Sequence, residues 1–356
     1  MYIFLAILLL AILIVAHEGG HFWAARWTGI GVREFSVGFG PRLAGWKSRK
    51  YETEFSIRAI PLGGFCRFYG EDDTTGEFQD DPRAFANQKL WKRMLVILMG
   101  PGMNFILAFV VATVFYWVNG IGVATGVDPY ISEVMAAGPA YSAGLQAGDV
   151  VEEINGVSML DGTTDTLINT IAGWKEGDAP LEMTILRNGE RTKVSVTPIW
   201  DVEAERMRIG VIIGGTYRVE YRPVGFLEGF RYAGEMCWTA SGAILSALKD
   251  LVTTGEGLDQ TAGPVGIVSI VSTEVRAGGA SAFVQLLALI SINLGLMNLL
   301  PIPGLDGSRL LFGLIELIRG KPVPPEKEAM VHLVGTVLLF GMLIIFTFKD
   351  VARLFQ

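Results

Sequence analysis

Four long apolar runs dominate the hydrophobic pattern of the chain. They cover residues 2–16, 94–118, 282–300 and 331–348. A membrane-spanning helix needs about 20 mostly apolar residues, so each run has the length of a span or nearly so. As a helix, residues 1–16 would reach about 24 Å, which is short of a hydrocarbon core of about 30 Å. We therefore expect this helix to continue toward Trp27.

The stretch between the second and third apolar runs has a different pattern, with more charged and turn-forming residues. Residues 181–196 contain two strand-like segments joined by Asn188-Gly189, a dipeptide that favours a tight turn between antiparallel strands. We predict a mainly-β domain over residues 119–200. In residues 225–252 the apolar pattern is interrupted by Gly, Glu and Lys, which favours an amphipathic helix at the membrane surface over a fifth span.

The loop between the first two apolar runs predicts a β-hairpin. Apolar and polar side chains alternate from Tyr51 to Arg58, and this period of two is typical of a strand. The segment Pro-Leu-Gly-Gly at 61–64 predicts a turn, and residues 65–69 predict the returning strand. An ordinary cytoplasmic hairpin without a membrane role is the alternative interpretation.

The distribution of Lys and Arg predicts the orientation in the membrane. Residues 26–93 carry twelve of them, whereas the much longer segment 119–281 carries eleven, mostly far from the apolar runs. Because short loops rich in Lys and Arg stay in the cytoplasm, the mainly-β domain is expected outside it. The predicted segments are a first transmembrane helix (1–27), a cytoplasmic or membrane-dipping hairpin loop (28–93), a second helix (94–118), the mainly-β domain (119–200), a linker with the interfacial helix (201–281), a third helix (282–300), a cytoplasmic-side loop (301–330) and a fourth helix (331–348).

The composition supports this fold class, a polytopic α-helical membrane protein with four transmembrane helices, an inserted mainly-β domain and a membrane-associated hairpin. Hydrophobic residues make up 51% of the chain and the mean hydropathy is +0.42, too apolar for an ordinary soluble domain. The net charge of −7, without a cluster of basic residues, argues against nucleic acid as a partner. Inside the apolar runs, the amides of Asn104 and Gln285 predict hydrogen bonds between helices.

Two of the three histidines stand four residues apart around a glutamate, in the segment His17-Glu18-Gly19-Gly20-His21. Positions i and i+4 of a helix share one face, so both imidazoles can bind one ion. Zinc favours imidazole nitrogen in a tetrahedral site, and a catalytic site keeps one position for water. Glu18 is then placed to take the proton of that water. The alternative is a solvated polar helix end, which is disfavoured because charged groups inside a span are costly.

A catalytic zinc site needs a third protein ligand, and the candidates are Asp306 and His332. Pro301 and Pro303 end the third apolar run and force extended backbone shortly before Asp306. Asp306 is equally suited to cap the N-terminus of a following helix. His332 begins the fourth apolar run, where an interfacial residue is the more common interpretation.

The motif HEGGH at 17–21, together with NLLPIPGLDG at 298–307, closely resembles the site-2 protease family of intramembrane metalloproteases, in its bacterial regulator-of-sigma-E branch. Four more segments share this resemblance, which covers nearly the whole chain: SVGFGP at 36–41, IPLGGFCRF at 60–68, GPGMN at 100–104 and GPVGI at 263–267.

The resemblance implies a zinc endopeptidase that cuts inside membrane segments. It implies Zn²⁺ bound by His17, His21 and Asp306, with Glu18 as the catalytic glutamate. It also implies a catalytic role for Asn298, which would position the substrate or stabilise the reacting carbonyl.

The resemblance further implies the substrates and the cellular location. These are single-pass proteins of the bacterial inner membrane that another protease has already trimmed, such as anti-sigma factors or remnant signal peptides. The hairpin would pair with an extended substrate, with Tyr51, Phe55 and Phe65 as candidate contacts. Residues 143–156 resemble a PDZ signature, which implies a PDZ-like domain that receives a peptide end or excludes untrimmed substrates. A purely structural cap is the alternative.

Two other classes of function are compatible with parts of the pattern. An intramembrane metal transporter would also need histidines and carboxylates inside the membrane, but it does not explain the mainly-β domain. A non-catalytic PDZ scaffold with a structural metal would explain that domain but not the intact Glu18. The expected partners are therefore a transmembrane substrate and membrane lipid.

Overall fold

The computed structural model describes residues 1–71, 78, 80–136, 138–160, 164–202, 204–257 and 262–354. The chain divides into two compact units. Residues 1–119 and 224–356 form the helical unit, and residues 120–223 form the β unit. Short parts of the predicted hairpin loop, mainly-β domain and linker lie outside the described residues.

In chain order the helices are α1 Tyr2–Thr28, α2 Leu90–Asn119, α3 Pro139–Ser142, α4 Thr164–Ala172, α5 Phe226–Thr253, α6 Pro264–Leu299, α7 Asp306–Arg319 and α8 Pro325–Leu354. The strands are β1 Val32–Lys47, β2 Glu54–Phe68, β3 Ile121–Val134, β4 Val150–Ile154, β5 Val157–Ser158, β6 Leu181–Arg187, β7 Glu190–Val196, β8 Ile199–Asp201, β9 Arg206–Arg208 and β10 Val211–Arg222.

Among the described residues, α1, α2, α6 and α8 are the helices that are long and apolar enough to cross a membrane. The predicted number of four spans is confirmed by this length and composition. Helix α1 continues through the histidine motif to Thr28, as the thickness of the hydrocarbon core requires. Helix α5 has 28 residues but is not one of these four.

Helix α6 begins at Pro264, well before the predicted start of the third span at residue 282. Its first half carries two charged residues, so the hydropathy pattern does not identify this half as part of a span. This half is nevertheless packed, because Val271 and Val275 are buried in a core shared with α1. At Gly279 the backbone leaves helical geometry (φ 62°, ψ −142°), which separates the two halves of the helix.

Small side chains bring the long helices of the helical unit together. Ala108 and Ala112 of α2, Ala233 of α5 and Ala288 of α6 are buried in one cluster. Small residues at such contacts let helix backbones approach closely, which favours van der Waals packing where the hydrophobic effect is weak. Helix α2 also contains Pro101, which removes one backbone donor inside the helix.

The strands β1 and β2, which follow α1 and precede α2 along the chain, form an antiparallel sheet. Residues 32–37 pair on one side with residues 54–57 and on the other side with residues 64–68. The predicted strands exist, but the prediction that they pair with each other was wrong. Residues 32–37 lie between them, and no strand was predicted there. Among the described residues, the segment 64–68 is therefore an edge of this sheet.

The β unit has a sheet with the strand order β10-β3-β4-β6-β7, and β5 pairs with β4. The predicted hairpin of β6 and β7 is confirmed, with Asn188 and Gly189 at φ 51° and 86° in its turn. Strand β10 pairs along β3, so the unit extends to residue 223 rather than 200. A pairing between strands so distant in sequence leaves no local signal.

Candidate metal centre

Helix α1 presents His17 and His21 on the face that packs against α2. Two glycines permit this close approach. A Cβ atom at Gly20 would lie 2.0 Å from the backbone oxygen of Met99, and a Cβ atom at Gly100 would lie 2.2 Å from Nε2 of His21. No side chain fits at either position, so the imidazole of His21 occupies the space that a side chain of α2 would otherwise fill.

The turn after α6 brings Asp306 to the same place. Helix α6 ends at Leu299, and Asp306 is the first residue of α7. The chain turns back tightly against the end of α6, because a Cβ atom at Gly307 would lie 2.2 Å from the backbone oxygen of Leu300. The N-cap alternative for Asp306 was wrong, because Leu305 is the N-cap and no side chain caps the helix. The carboxylate of Asp306 instead reaches the two histidines.

Three side-chain atoms converge where these elements meet. Oδ2 of Asp306 lies 3.1 Å from Nε2 of His17 and 3.3 Å from Nε2 of His21, and the two Nε2 atoms are 3.3 Å apart. In a tetrahedral zinc site with bonds of about 2.0–2.1 Å, ligand atoms lie about 3.3–3.4 Å apart. Oδ2 of Asp306 is also buried without a hydrogen bond of good geometry in the described part of the chain. The three residues therefore fit a zinc ion.

The remaining ring nitrogens of the two histidines contact α2. Nδ1 of His21 lies 2.8 Å from the backbone oxygen of Val96, and Nδ1 of His17 lies 3.2 Å from Nδ2 of Asn104. An imidazole that binds a metal through Nε2 carries its proton on Nδ1 and donates it to a neighbouring acceptor. The carbonyl of Val96 is such an acceptor for His21.

A cavity of about 360 Å³ adjoins the three side chains. Glu18 and Asn298, the two predicted catalytic residues, both line it. The side chain of Glu18 is buried. Asn298 lies near the end of α6, and its Nδ2 donates a hydrogen bond to the backbone oxygen of Leu294 at 3.0 Å. The structure thus brings together all five residues predicted for metal binding and catalysis.

Only one of the three candidate substrate contacts lies at this cavity. Phe65, in the edge segment 64–68, lines it. Tyr51 and Phe55 do not line it; their rings lie 6.0 and 5.7 Å from the ring of Phe22 on α1. These two aromatic residues anchor the sheet to the helix, which the alternation of the sequence does not distinguish from a role in binding.

His332, the other candidate for a third ligand, lies outside the metal centre. Its Nε2 is 3.7 Å from Oε1 of Glu328, one turn earlier in α8. Its Nδ1 is 3.4 Å from the backbone nitrogen of Gly304, which donates to it. His332 therefore contacts the loop before Asp306 and does not join the ligand atoms.

Glu71 and Arg309 also line the cavity, and no motif in the sequence indicates either of them. They form an ion pair, and Glu71 accepts a further hydrogen bond from the backbone N–H of Phe68 at 3.0 Å. Arg309 lies one turn after Asp306. The pair thus connects the loop after β2 to the helix that carries Asp306. Partners this distant in sequence leave no local signal.

Comparison with known proteins agrees with a metal centre of this kind. Residues 5–342 match the profile of peptidase family M50, and the chain belongs to this family. The zinc metalloprotease RasP of Geobacillus kaustophilus is 33% identical, over 96% of this chain and 96% of that protein. RasP of Bacillus licheniformis, also named a zinc metalloprotease, is 32% identical, over 98% of both chains. The resemblance to site-2 proteases is therefore confirmed.

Two further similarities concern a regulatory relative and the β unit. The regulator of sigma-W protease RasP of Bacillus subtilis is 31% identical, over 98% of both chains. A PDZ domain of an SdrC-like protein from Listeria innocua covers 27% of this chain at 21% identity, with a TM-score of 0.22. A TM-score this low carries no argument about the fold of the β unit.

Proposed function

We propose that this protein is an intramembrane zinc endopeptidase that hydrolyses peptide bonds within transmembrane segments. The observation that carries the proposal is the convergence of the ligand atoms of His17, His21 and Asp306 beside Glu18 in one cavity. Membership of a peptidase family supports hydrolysis of peptide bonds. Two relatives named zinc metalloproteases support zinc as the metal.

In the proposed mechanism, His17, His21 and Asp306 would hold the zinc ion, which would polarise the scissile carbonyl and lower the pKa of the attacking water. The carboxylate of Glu18 accepts the proton of the attacking water and returns it to the leaving nitrogen as the peptide bond breaks. The amide of Asn298 orients the substrate carbonyl. Burial of Glu18 keeps bulk water away from the transferred proton.

The substrate is proposed to bind as an extended chain along the edge segment 64–68. An extended chain exposes its peptide bonds, and strand addition to a sheet edge would hold it by backbone hydrogen bonds. The position of this edge supports the proposal, because a Cβ atom at Gly64 would lie 3.0 Å from Cγ of Glu18. The backbone of the edge thus runs directly past the proposed catalytic glutamate, and Phe65 is the side chain placed to contact substrate.

We place the helical unit in the bacterial cytoplasmic membrane, with the metal centre near the cytoplasmic face and the β unit outside the cytoplasm. The distribution of Lys and Arg supports this orientation. So do Trp23, Trp27 and Trp91, which are exposed near the ends of α1 and α2 that adjoin the cytoplasmic loop. Tryptophan is enriched at the membrane–water interface.

The substrate class is proposed to be single-pass membrane proteins that an upstream protease has trimmed, such as anti-sigma factors or remnant signal peptides. The name of the Bacillus subtilis relative, regulator of sigma-W protease, supports the first group. The β unit is proposed to be PDZ-like and to exclude untrimmed substrates, which the signature at 143–156 supports.

The test is cleavage of a single-pass model substrate by the full chain in lipid nanodiscs, together with zinc quantification. We expect wild type to bind one zinc per chain and to cut, and Glu18→Gln to keep zinc while cleavage falls by about 10²–10⁴-fold. Glu190→Gln, the same change at an exposed position of the β unit, is the matched control and should cut normally. Undiminished cleavage by Glu18→Gln would remove Glu18 from the mechanism, and wild type that carries zinc across proteoliposomes without cutting would favour a transporter.

A further inference from the structure

Two positions of α2, one turn apart, face the two histidines of α1. Gly100 leaves the space that the ring of His21 occupies. Asn104, four residues later, contacts His17 through its side-chain amide. Gly100 thus faces His21, and Asn104 faces His17. The order of the facing positions is reversed between α2 and α1, as expected for neighbouring antiparallel helices. The contact between Asn104 and His17 goes beyond the hydrogen bond between helices that the sequence predicts.

Asn104 is fully buried, and its side chain and backbone have different partners. Its backbone oxygen accepts a hydrogen bond from Oγ of Ser291 at 2.8 Å, and this bond connects α2 to α6. Its side-chain Nδ2 lies 3.2 Å from Nδ1 of His17, and its Oδ1 has no partner in the described part of the chain. Because the backbone oxygen makes the bond between helices, the amide side chain is not needed for it.

The chemistry of His17 requires an acceptor at this place. To bind a metal through Nε2, the ring must carry its proton on Nδ1, and that proton must be donated. His21 donates to the backbone oxygen of Val96, but the amide of Asn104 is the group that faces Nδ1 of His17. The two ends of an amide have nearly the same size, so a half rotation places Oδ1 where Nδ2 lies. In that orientation Oδ1 accepts the proton of Nδ1.

Resting on the proposed zinc site, we propose that Asn104 is a positioning residue that holds His17 in the tautomer with its proton on Nδ1. Oδ1 of Asn104 accepts this proton, which leaves the lone pair of Nε2 free and fixes the plane of the ring. With the amide in the opposite orientation, Nδ2 donates to Nδ1 and the proton of His17 stays on Nε2, where it blocks coordination. The orientation of one buried amide therefore sets how strongly His17 binds the metal.

The two histidines then donate their Nδ1 protons to different kinds of acceptor. Removing the backbone acceptor of His21 by substitution is not possible, whereas the acceptor of His17 is a side chain. Asn104→Leu removes the amide and keeps a similar volume, and Asn104→Asp keeps an oxygen acceptor that, as a carboxylate, cannot donate. Ser291→Ala is the matched control, because it removes this one hydrogen bond between α2 and α6 and leaves the amide of Asn104 in place.

The experiment measures zinc affinity by chelator competition and the visible spectrum of bound Co²⁺, on the full chain in nanodiscs. Loss of such an outer hydrogen bond typically weakens metal binding by about 10–100-fold. We expect this loss and an altered Co²⁺ spectrum for Asn104→Leu, and near-wild-type values for Asn104→Asp and Ser291→Ala. Thermal unfolding of the metal-free variants shows whether each one is folded.

Three outcomes separate the possibilities. Wild-type affinity and spectrum in folded Asn104→Leu would overturn the role of Asn104 and leave the zinc site intact. If Asn104→Leu does not fold, Asn104→Asp decides: affinity near wild type supports the role, and a loss of ten-fold or more overturns it. Failure of wild type itself to bind zinc would instead overturn the proposed function.

Discussion

The described part of the β unit buries one polar or charged residue, Asp149, whereas the described part of the helical unit buries eleven. In the β unit, the core cluster contains only apolar residues: Ile131, Ala140, Leu145, Val151, Ile154, Met159, Leu167, Ile171, Leu181, Met183, Ile185, Val196 and Ile209. In the helical unit, Glu18, His21, Asn104, Ser291 and Asp350 are buried. In the most apolar stretch of 18 residues in α8, only 6% is buried inside the protein.

This difference shows which solvent each unit fits. An apolar exterior is stable only against lipid, where polar groups must find partners inside the protein. Several buried polar groups of the helical unit have such partners on another helix: Nδ1 of His21 contacts the backbone oxygen of Val96, Oγ of Ser291 donates to the backbone oxygen of Asn104, and Oδ2 of Asp350 accepts from the backbone N–H of Gly266. A buried polar group on these helices thus indicates a functional site or a structural hydrogen bond. Exposed polar groups are ordinary on the surface of the β unit.

The largest effect is expected where polar packing is tightest, at Gly100. A Cβ atom there would lie 2.2 Å from Nε2 of His21, whereas one at Gly102, on the same helix, has its nearest contact at 3.8 Å. We expect Gly100→Ala to lower cleavage by about 100-fold, because misplacement of a reacting group by about 1 Å can cost this much. Gly102→Ala should cut at nearly the wild-type rate. Similar losses in both variants would show that any added side chain in α2 is harmful.

A lysine substitution should destabilise the exterior of the helical unit much more than the exterior of the β unit. Leu338 of α8 is 64% exposed and Val157 of the β unit is 60% exposed. We expect Leu338→Lys to destabilise insertion by about 2.5–3.5 kcal/mol, as for Lys near the centre of a span. Val157→Lys should change stability by less than about 0.5 kcal/mol. The measurements are membrane integration and thermal unfolding in nanodiscs. Equal tolerance of both variants would argue against a lipid-facing α8.

Asp350 tests a buried polar contact away from the metal centre. Its Oδ2 accepts a hydrogen bond from the backbone N–H of Gly266 at 2.7 Å, in the first turn of α6. We expect Asp350→Ala to lower the free energy of unfolding by about 1–3 kcal/mol, because a buried donor loses its partner. Asp350→Asn keeps an acceptor and should lose less. Thermal unfolding of both variants checks this, and equal losses would indicate that the charge, not the hydrogen bond, matters.

The smallest effect is expected for a buried ion pair in the β unit. Burial alone raises the pKa of Asp149, but hydrogen bonds from Arg187 and from the backbone of Gln146 outweigh it and leave this pKa below its usual range. The pKa of Asp149 in the folded protein lies below its unfolded value of about 3.9. The ion pair therefore adds to the free energy of unfolding above about pH 4. This contribution is lost as the pH falls through the folded pKa.

Thermal unfolding of the full chain as a function of pH measures this contribution. Arg187→Gln should be less stable than wild type near neutral pH, since its Asp149 lacks the guanidinium. The two curves should converge in acid, where the carboxyl is protonated in both proteins. Parallel curves over the whole range would show that the pair does not cause the acid dependence.

Several elements of both units could be predicted from the local sequence pattern. Apolar runs of span length predicted four membrane helices, because only a helix satisfies its own backbone in lipid. The spacing of His17 and His21 placed both rings on one face, because the geometry of the helix requires it. The turn at Asn188-Gly189 followed from the backbone conformation that these residues allow.

Distant pairings were decided only by the tertiary structure. The local pattern favoured Asp306 over His332 as the third ligand, but it could not choose between a ligand and a helix N-cap for Asp306, because the direction of the turn before it depends on packing. It could not place Phe65 at the cavity and Tyr51 against α1, because alternation along a strand does not say what covers each face.

The partner of Asn104 shows the same division. The side-chain amide of Asn104 was expected to bond another helix, and it does contact His17 of α1. That its side chain faces His17 depends on the close approach of α1 and α2, which Gly20 and Gly100 permit. Covalent geometry determines spacing along one helix from the sequence alone. Contacts between helices depend on how all the side chains pack at once, and this only the folded structure decides.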